Sequence, residues 1–215
     1  MSNNCLIKPL NGSIGIYLHW CGDISAVTAF LEYAKLKGHR AFGGNNSDGY
    51  GIARLAQIIG NFFGGSLSVG ITFIDENSSG YDYDNGIYVV DNWDIVERRT
   101  FPDFKDKFRE DFNLTEALLE IDNAQPTIEQ LGEEFIKAET VRVHELKVGD
   151  EVFIKTVGEK IIKATVVGMH CDEPYINVVG GYNDGEAWRN GNNYVYNSSY
   201  LRDENDNKLV RAIRA

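Results

Sequence analysis

The chain has 215 residues, with 43% hydrophobic and 25% charged residues, 32 Asp and Glu against 21 Lys and Arg, and a formal net charge of −11. That length gives room for one or two domains with real cores, and the composition argues against wholesale disorder. The acidity opposes binding to duplex nucleic acid, which rests on Lys and Arg neutralising phosphates.

Three cysteines, Cys5, Cys21 and Cys171, are odd in number and far apart, without a C-x-x-C pair. They fit reduced thiols in a cytoplasm better than disulfides, zinc or a redox centre. The sequence from Met1 to Leu6 has neither a basic segment nor a long apolar one, and no stretch reaches the roughly 20 apolar residues of a membrane span. The expectation is a cytoplasmic protein with no membrane partner.

In chain order, Ile14, Ile16 and Leu18 alternate with Ser13, Gly15 and Tyr17 as in a half-buried strand. His19-Trp20-Cys21-Gly22 ends that strand. Asp23 or Ser25 can then cap a helix whose Val27, Phe30, Leu31 and Ala34 recur at helical spacing up to Gly38. Residues Ala41 to Gly51 read as a Gly/Asn-rich loop. A second helix follows, with Ile52, Leu55, Ala56, Ile59 and Phe62 on one face and a stop at Gly64-Gly65.

Strands are expected over Leu67 to Ile74, Ile87 to Val90 and Trp93 to Arg98, the last two set off by Asn85-Gly86 and Asp91-Asn92. Phe104, Phe108 and Phe112 suggest an amphipathic helix after Pro102, with further helices over Leu114 to Ile121 and Ile128 to Ala138. From Val141 the period returns to two, in short strands over Glu151–Val157, Ile161–Met169, Tyr175–Val179, Tyr194–Tyr196 and Lys208–Ile213. Leu146-Lys147-Val148-Gly149-Asp150-Glu151-Val152 resembles the opening turn and strand of SH3-like barrels. The fold class is α+β: an N-terminal antiparallel sheet with helices over 1–101, a helical connector over 102–140, and a small SH3-like β-barrel over 141–215.

The densest chemical candidate is His19-Trp20-Cys21-Gly22-Asp23, where a strand meets a helix N-terminus that favours anions and lowered thiol pKa values. Cys21 with His19 as base is one reading; a buried, inert cysteine is the plainer one. Trp20, joined by Tyr50 and Trp93 with Arg54 one turn beyond Tyr50, offers an aromatic platform and a guanidinium for a base and a phosphate. The plain alternative makes these aromatics core or rim residues. The Gly43–Gly49 loop lacks the Gly-Lys-Ser/Thr of a P-loop. His19, His39, His144 and His170 have no metal-ligand spacing, and twelve-residue counting from Asp82 reaches Trp93 instead of a closing Glu. No metal, cofactor or catalytic group is assigned. Trp188, Arg189, Tyr194 and Tyr196 lie in an aromatic, Asn-rich stretch suited to a protein or subunit interface.

Ile16-Tyr17-Leu18-His19-Trp20, Ala29-Phe30-Leu31-Glu32-Tyr33, Tyr50-Gly51-Ile52-Ala53-Arg54-Leu55, Ile59-Gly60-Asn61-Phe62-Phe63-Gly64-Gly65 and Asp84-Asn85-Gly86-Ile87-Tyr88 together resemble a group of small phage- and prophage-encoded proteins of uncharacterised activity. The resemblance covers roughly the first hundred residues. It implies an accessory viral protein acting in the host cytoplasm, often against host defence. The leading expectation is a sponge that binds a nucleotide-derived immune signal without turnover through His19, Trp20, Asp23, Tyr50, Arg54 and Trp93. The alternatives are an acidic inhibitor of a host defence nuclease, whose partner is the defence protein itself, and a hydrolase using Cys21. Homo-oligomerisation, through the helices after Pro102 or the aromatic stretch, is compatible with the first two.

Overall fold

The computed structural model describes residues 3–38, 49–65, 67–74, 78–102, 104–105, 107–155, 161–170, 173–183, 188–194, 201–202 and 208–215. It shows two compact units, Met1–Gln130 and Leu131–Ala215, dividing within the 102–140 segment. Each unit has its own sheet, so the fold is α+β. Among the described residues no helix is long and apolar enough to cross a membrane.

The first unit runs β1 (Cys5–Pro9), β2 (Ile14–Leu18), α1 (Ile24–Leu36), α2 (Gly49–Phe62), β3 (Val69–Phe73), β4 (Ile87–Asp91), β5 (Asp94–Arg99) and α3 (Leu114–Asn123). The sheet order is β3-β2-β1-β4-β5. It is mixed rather than antiparallel, because β1 pairs β4 in parallel through Leu6↔Ile87 and Ile7↔Tyr88. Sequence reading passed over β1, the central strand. All five of its residues are buried. Its sequence, Cys-Leu-Ile-Lys-Pro, is too short and too uniformly buried to show an apolar/polar alternation.

The β1–β2 register, Leu6↔Tyr17 and Ile7↔Ile16, sorts the sheet into two faces. Leu6, Ile74, Ile87 and Val89 cluster on one face, with Tyr17 and Tyr83 packed against them. The helices cover the other, where Tyr88 donates its hydroxyl to the Gly22 carbonyl at 2.9 Å. Helix α2 packs on β2 and β3, and α1 packs on α2 and α3. Helix α1 buries Val27, Phe30, Leu31 and Ala34, the stripe its spacing predicts, and also Tyr33, whose hydroxyl donates to Asp122 at 2.6 Å. Helix α2 ends where expected: Gly64 and Gly65 take positive φ, and the Gly65 N–H returns to the Gly60 carbonyl at 3.0 Å.

Residues 102–113 form no helix among those described. Phe104 and Phe108 remain 36% and 46% exposed and Phe112 is half-buried, so the three-phenylalanine spacing does not bury a continuous apolar stripe. A single short helix without such support is marginal in water. Asn113 then caps α3 through the Glu116 N–H at 3.3 Å.

The helix expected over Ile128–Ala138 is a 3-10 turn, Thr127–Glu129, and a short α4 (Glu133–Lys137), interrupted by Gly132 at φ 88. The second unit continues with β6 (Glu139–Arg142), β7 (Glu151–Lys155), β8 (Ile161–His170), β9 (Glu173–Asn183), β10 (Trp188–Tyr194), β11 (Leu201–Arg202) and β12 (Lys208–Ile213). The strands follow the path β10-β9-β8-β7-β12-β11, with β6 also on β12. Among the described residues no ladder closes this sheet into a barrel. Its core is Val141, Val143, Leu146, Val152, Ile154, Ala164, Val166, Ile176, Val178, Val210 and Ala212. A turn with Gly149 at φ 100 precedes β7. Asp150 is buried and accepts from the Lys147 N–H at 2.9 Å, the Ala215 N–H at 3.1 Å and Arg214 Nη1 at 2.9 Å.

Candidate functional site at the start of helix α1

The turn from β2 into α1 is tightly specified. Cys21 adopts φ 57, a left-handed conformation uncommon for a residue with a side chain. A Cβ on Gly22 would stand 2.5 Å from the Asn3 carbonyl oxygen and 2.8 Å from the Cys5 nitrogen, so only glycine fits. The Gly22 N–H donates to that same Asn3 carbonyl at 2.8 Å. Asn3 also donates through Nδ2 to Asp23 at 3.2 Å and accepts from the Asn85 side chain, which ties the turn to the Asp84-Asn85-Gly86 loop.

Asp23 caps α1, accepting from the Ser25 and Ala26 N–H groups at 3.1 and 3.2 Å. Its carboxylate therefore already occupies the anion position that a helix N-terminus provides. Asp23 is a structural cap as well as a site neighbour. The Arg109 guanidinium stands 3.8 Å from it and is 56% exposed, and the Arg109 N–H donates to Ser25 Oγ at 3.0 Å.

Cys21 is poorly set up as a nucleophile. Burial, then the Asp23 carboxylate, push its thiol above the ordinary value, and Arg109 only partly opposes them. Cys5 is fully buried and pushed up further, again by burial. A reactive cysteine needs the reverse. Cys171 lies outside the described residues.

His19 and Trp20 come together as expected. Their rings meet edge-on with centroids 4.7 Å apart, and Trp20 remains 43% exposed. Tyr17, two residues back on the same strand face, holds His19 Nδ1 through its hydroxyl at 3.0 Å and packs against Tyr83 with centroids 6.1 Å apart. Among the described residues His19 Nε2 has no hydrogen-bond partner.

The other expected ligand residues lie elsewhere. Tyr50 is 70% exposed in the first turn of α2, and Arg54 one turn on hydrogen-bonds Gln57 at 3.0 Å. Along the helix axis they are about 18 and 12 Å from Phe62, at 1.5 Å per residue. Trp20 instead lies beside the chain leaving the far end of α2, where the His19 N–H meets the Ser68 carbonyl at 2.9 Å. Trp93 is 4% exposed in the β4–β5 hairpin, where Asn92 and Trp93 both take positive φ as in a type I′ turn. The register puts that hairpin beside Pro9, while Leu18 lies beside Cys5, so Trp93 and Trp20 stand at opposite ends of the sheet. Sequence adjacency suggested one neighbourhood; the strand directions separate it.

Sequence reasoning missed Tyr17, legible from its period-two relation to His19, and Arg109, which only the tertiary fold brings to Asp23. Trp188, Arg189 and Tyr194 lie on β10, their side chains outside the described set, and Tyr196 lies outside the described residues altogether. Among the described residues no group of three or more His, Cys, Asp or Glu is placed to hold a metal ion. No protein family, no curated protein and no solved structure matches the chain.

Proposed function

We propose that this chain captures a small anionic ligand with a planar ring, of the nucleotide class, and holds it without turnover. The reading extends the phage resemblance to an anti-defence sponge for a nucleotide-derived signal in the host cytoplasm. The observation that supports it is the exposed Trp20 ring set edge-on against His19, three residues from the Asp23 cap where the Arg109 guanidinium stands. Trp20 would stack the base, His19 Nε2 would hydrogen-bond a ring edge or ribose hydroxyl, and Arg109 would exchange Asp23 for phosphate. The raised Cys21 thiol weighs against the hydrolase alternative.

On the same reading the second unit is an SH3-like interaction module presenting Trp188, Arg189, Tyr194 and Tyr196 to a protein or subunit. The test is native mass spectrometry with linear and cyclic nucleotides and filtered cell extract. A retained, unaltered ligand that Trp20→Ala and Arg109→Ala each abolish is the expected result. Conversion of the ligand would overturn capture. Absence of any adduct would overturn it in favour of an acidic inhibitor acting on a host nuclease.

A further inference from the structure

The two edges of the first sheet are built differently. Strand β5 carries Asp94, Glu97, Arg98 and Arg99, and its pairing with β4 is interrupted by a register shift at Val89/Val90. Charges and bulges of this kind discourage pairing with another chain. Strand β3 has neither. It reads Val-Gly-Ile-Thr-Phe, and its ladder with β2 runs unbroken from Ile14↔Phe73 to Leu18↔Val69. Ile71 is 57% and Phe73 85% exposed.

The hydrogen-bond phase shows which groups face outward. The Ile74 N–H donates to the Ser13 carbonyl at 2.8 Å and the His19 N–H donates to the Ser68 carbonyl at 2.9 Å. Even-numbered residues therefore bond to β2, and the backbone N–H and C=O groups of Val69, Ile71 and Phe73 point to the outer edge, where no strand pairs with β3 among the described residues. Their side chains share one face, the one on which α2 packs. Backbone pairing groups and apolar side chains thus coincide on the same three residues.

We infer that this edge pairs with a second copy of the chain, antiparallel, about a two-fold axis at Ile71. In that register Ile71 opposes its own counterpart, Val69 opposes Phe73 of the other copy, and Gly70 opposes Thr72. The strand is self-complementary, as an isologous interface requires. Charge favours a second copy over other occupants. Between Asp48 and Asp75 the sequence contains no Asp or Glu and one basic residue, Arg54, in a chain of net charge −11. Two acidic molecules can approach through this strip without opposing carboxylates, whereas a basic partner would find nothing here to bind. Helix α2, on the same side of the sheet, packs on β3 and is the nearest element available to extend the area beyond five paired residues.

The test is the molar mass of the full chain by light scattering and sedimentation across a hundredfold concentration range. The expected mass is twice 24.1 kDa, falling to the monomer value in Ile71→Lys. Unchanged circular dichroism and unfolding midpoint in Ile71→Lys separate loss of pairing from loss of fold. Ile71→Cys provides the register test: with its counterpart across the axis it should form a disulfide-linked dimer on oxidation, and Thr72→Cys, facing away from its own counterpart, should not. A monomer at every concentration, or a dimer that Ile71→Lys leaves intact, would overturn the inference.

Discussion

The two sheets bury their strands in different ways. In the first, β1 and β4 are buried along nearly their whole length, with side chains from both faces in contact with protein. In the second, β8 alternates between exposed and buried around Ala164 and Val166, and β12 between half-buried and buried around Val210 and Ala212. A strand buried on both faces leaves little room for charge, Lys8 at 8% exposure being the one charged residue of β1, whereas a one-faced strand turns alternate positions toward solvent. The contrast explains why alternation revealed the second sheet more readily than the centre of the first.

Charge insertion gives the largest effect. Leu6→Asp and Ile7→Asp should each destabilise by more than about 4 kcal/mol in urea unfolding, although they lie on opposite faces. In β8, Val166→Asp should do the same, while Val167→Asp, at 39% exposure, should stay within about 0.5 kcal/mol. Equal tolerance at Leu6 and Val167 would break the contrast.

Buried polar anchors come next. Asp150→Asn should cost about 2–3 kcal/mol, because the buried carboxylate accepts two backbone N–H groups and an arginine. Burial by itself would raise this carboxyl, but the Lys147 and Ala215 N–H groups and Arg214 outweigh it and hold it below its ordinary value. A depressed folded value stabilises above the unfolded pKa of about 3.9 and is lost as pH falls through the folded value. The stability curves of the wild type and Asp150→Asn should therefore stay apart above about pH 4 and converge in stronger acid.

In the first unit, Tyr33→Phe should cost about 1–2 kcal/mol by removing the donor to buried Asp122, measured by the same unfolding assay. The smallest stability effect belongs to the candidate site. Trp20→Ala should shift unfolding by no more than about 0.5 kcal/mol while weakening nucleotide binding at least tenfold in calorimetry. Arg54→Ala should leave that binding unchanged.

Most α1, α2 and second-unit strands were legible because their patterns are local: a cap and apolar stripe in α1, a double-glycine stop in α2, and alternation in β8 and β12. Strand β1 was not, since its five residues carry no period and one of its two partners, β4, lies some eighty positions away. Helical spacing of Phe104, Phe108 and Phe112 misled because it records a possible face, not a surface to cover it. The site was half legible. His19 and Trp20 pair as neighbours on one strand end, but Arg109 reaches Asp23 only through the tertiary fold, and the parallel β1–β4 ladder carries Trp93 away from Trp20.

The central position of β1 also sets a timetable. During synthesis at about 5–20 residues per second, residues 5–9 precede their β4 partners by roughly 4–16 s. For that interval β1, β2 and, later, β3 can form only an antiparallel meander whose β1 edge is open and apolar. The first unit therefore completes its sheet late, after β4 and then β5 are added beside a strand made long before, and long-range pairing of this kind slows folding. A nascent chain arrested shortly before Ile87 would present two adhesive edges, β1 and β3, where the finished unit presents one.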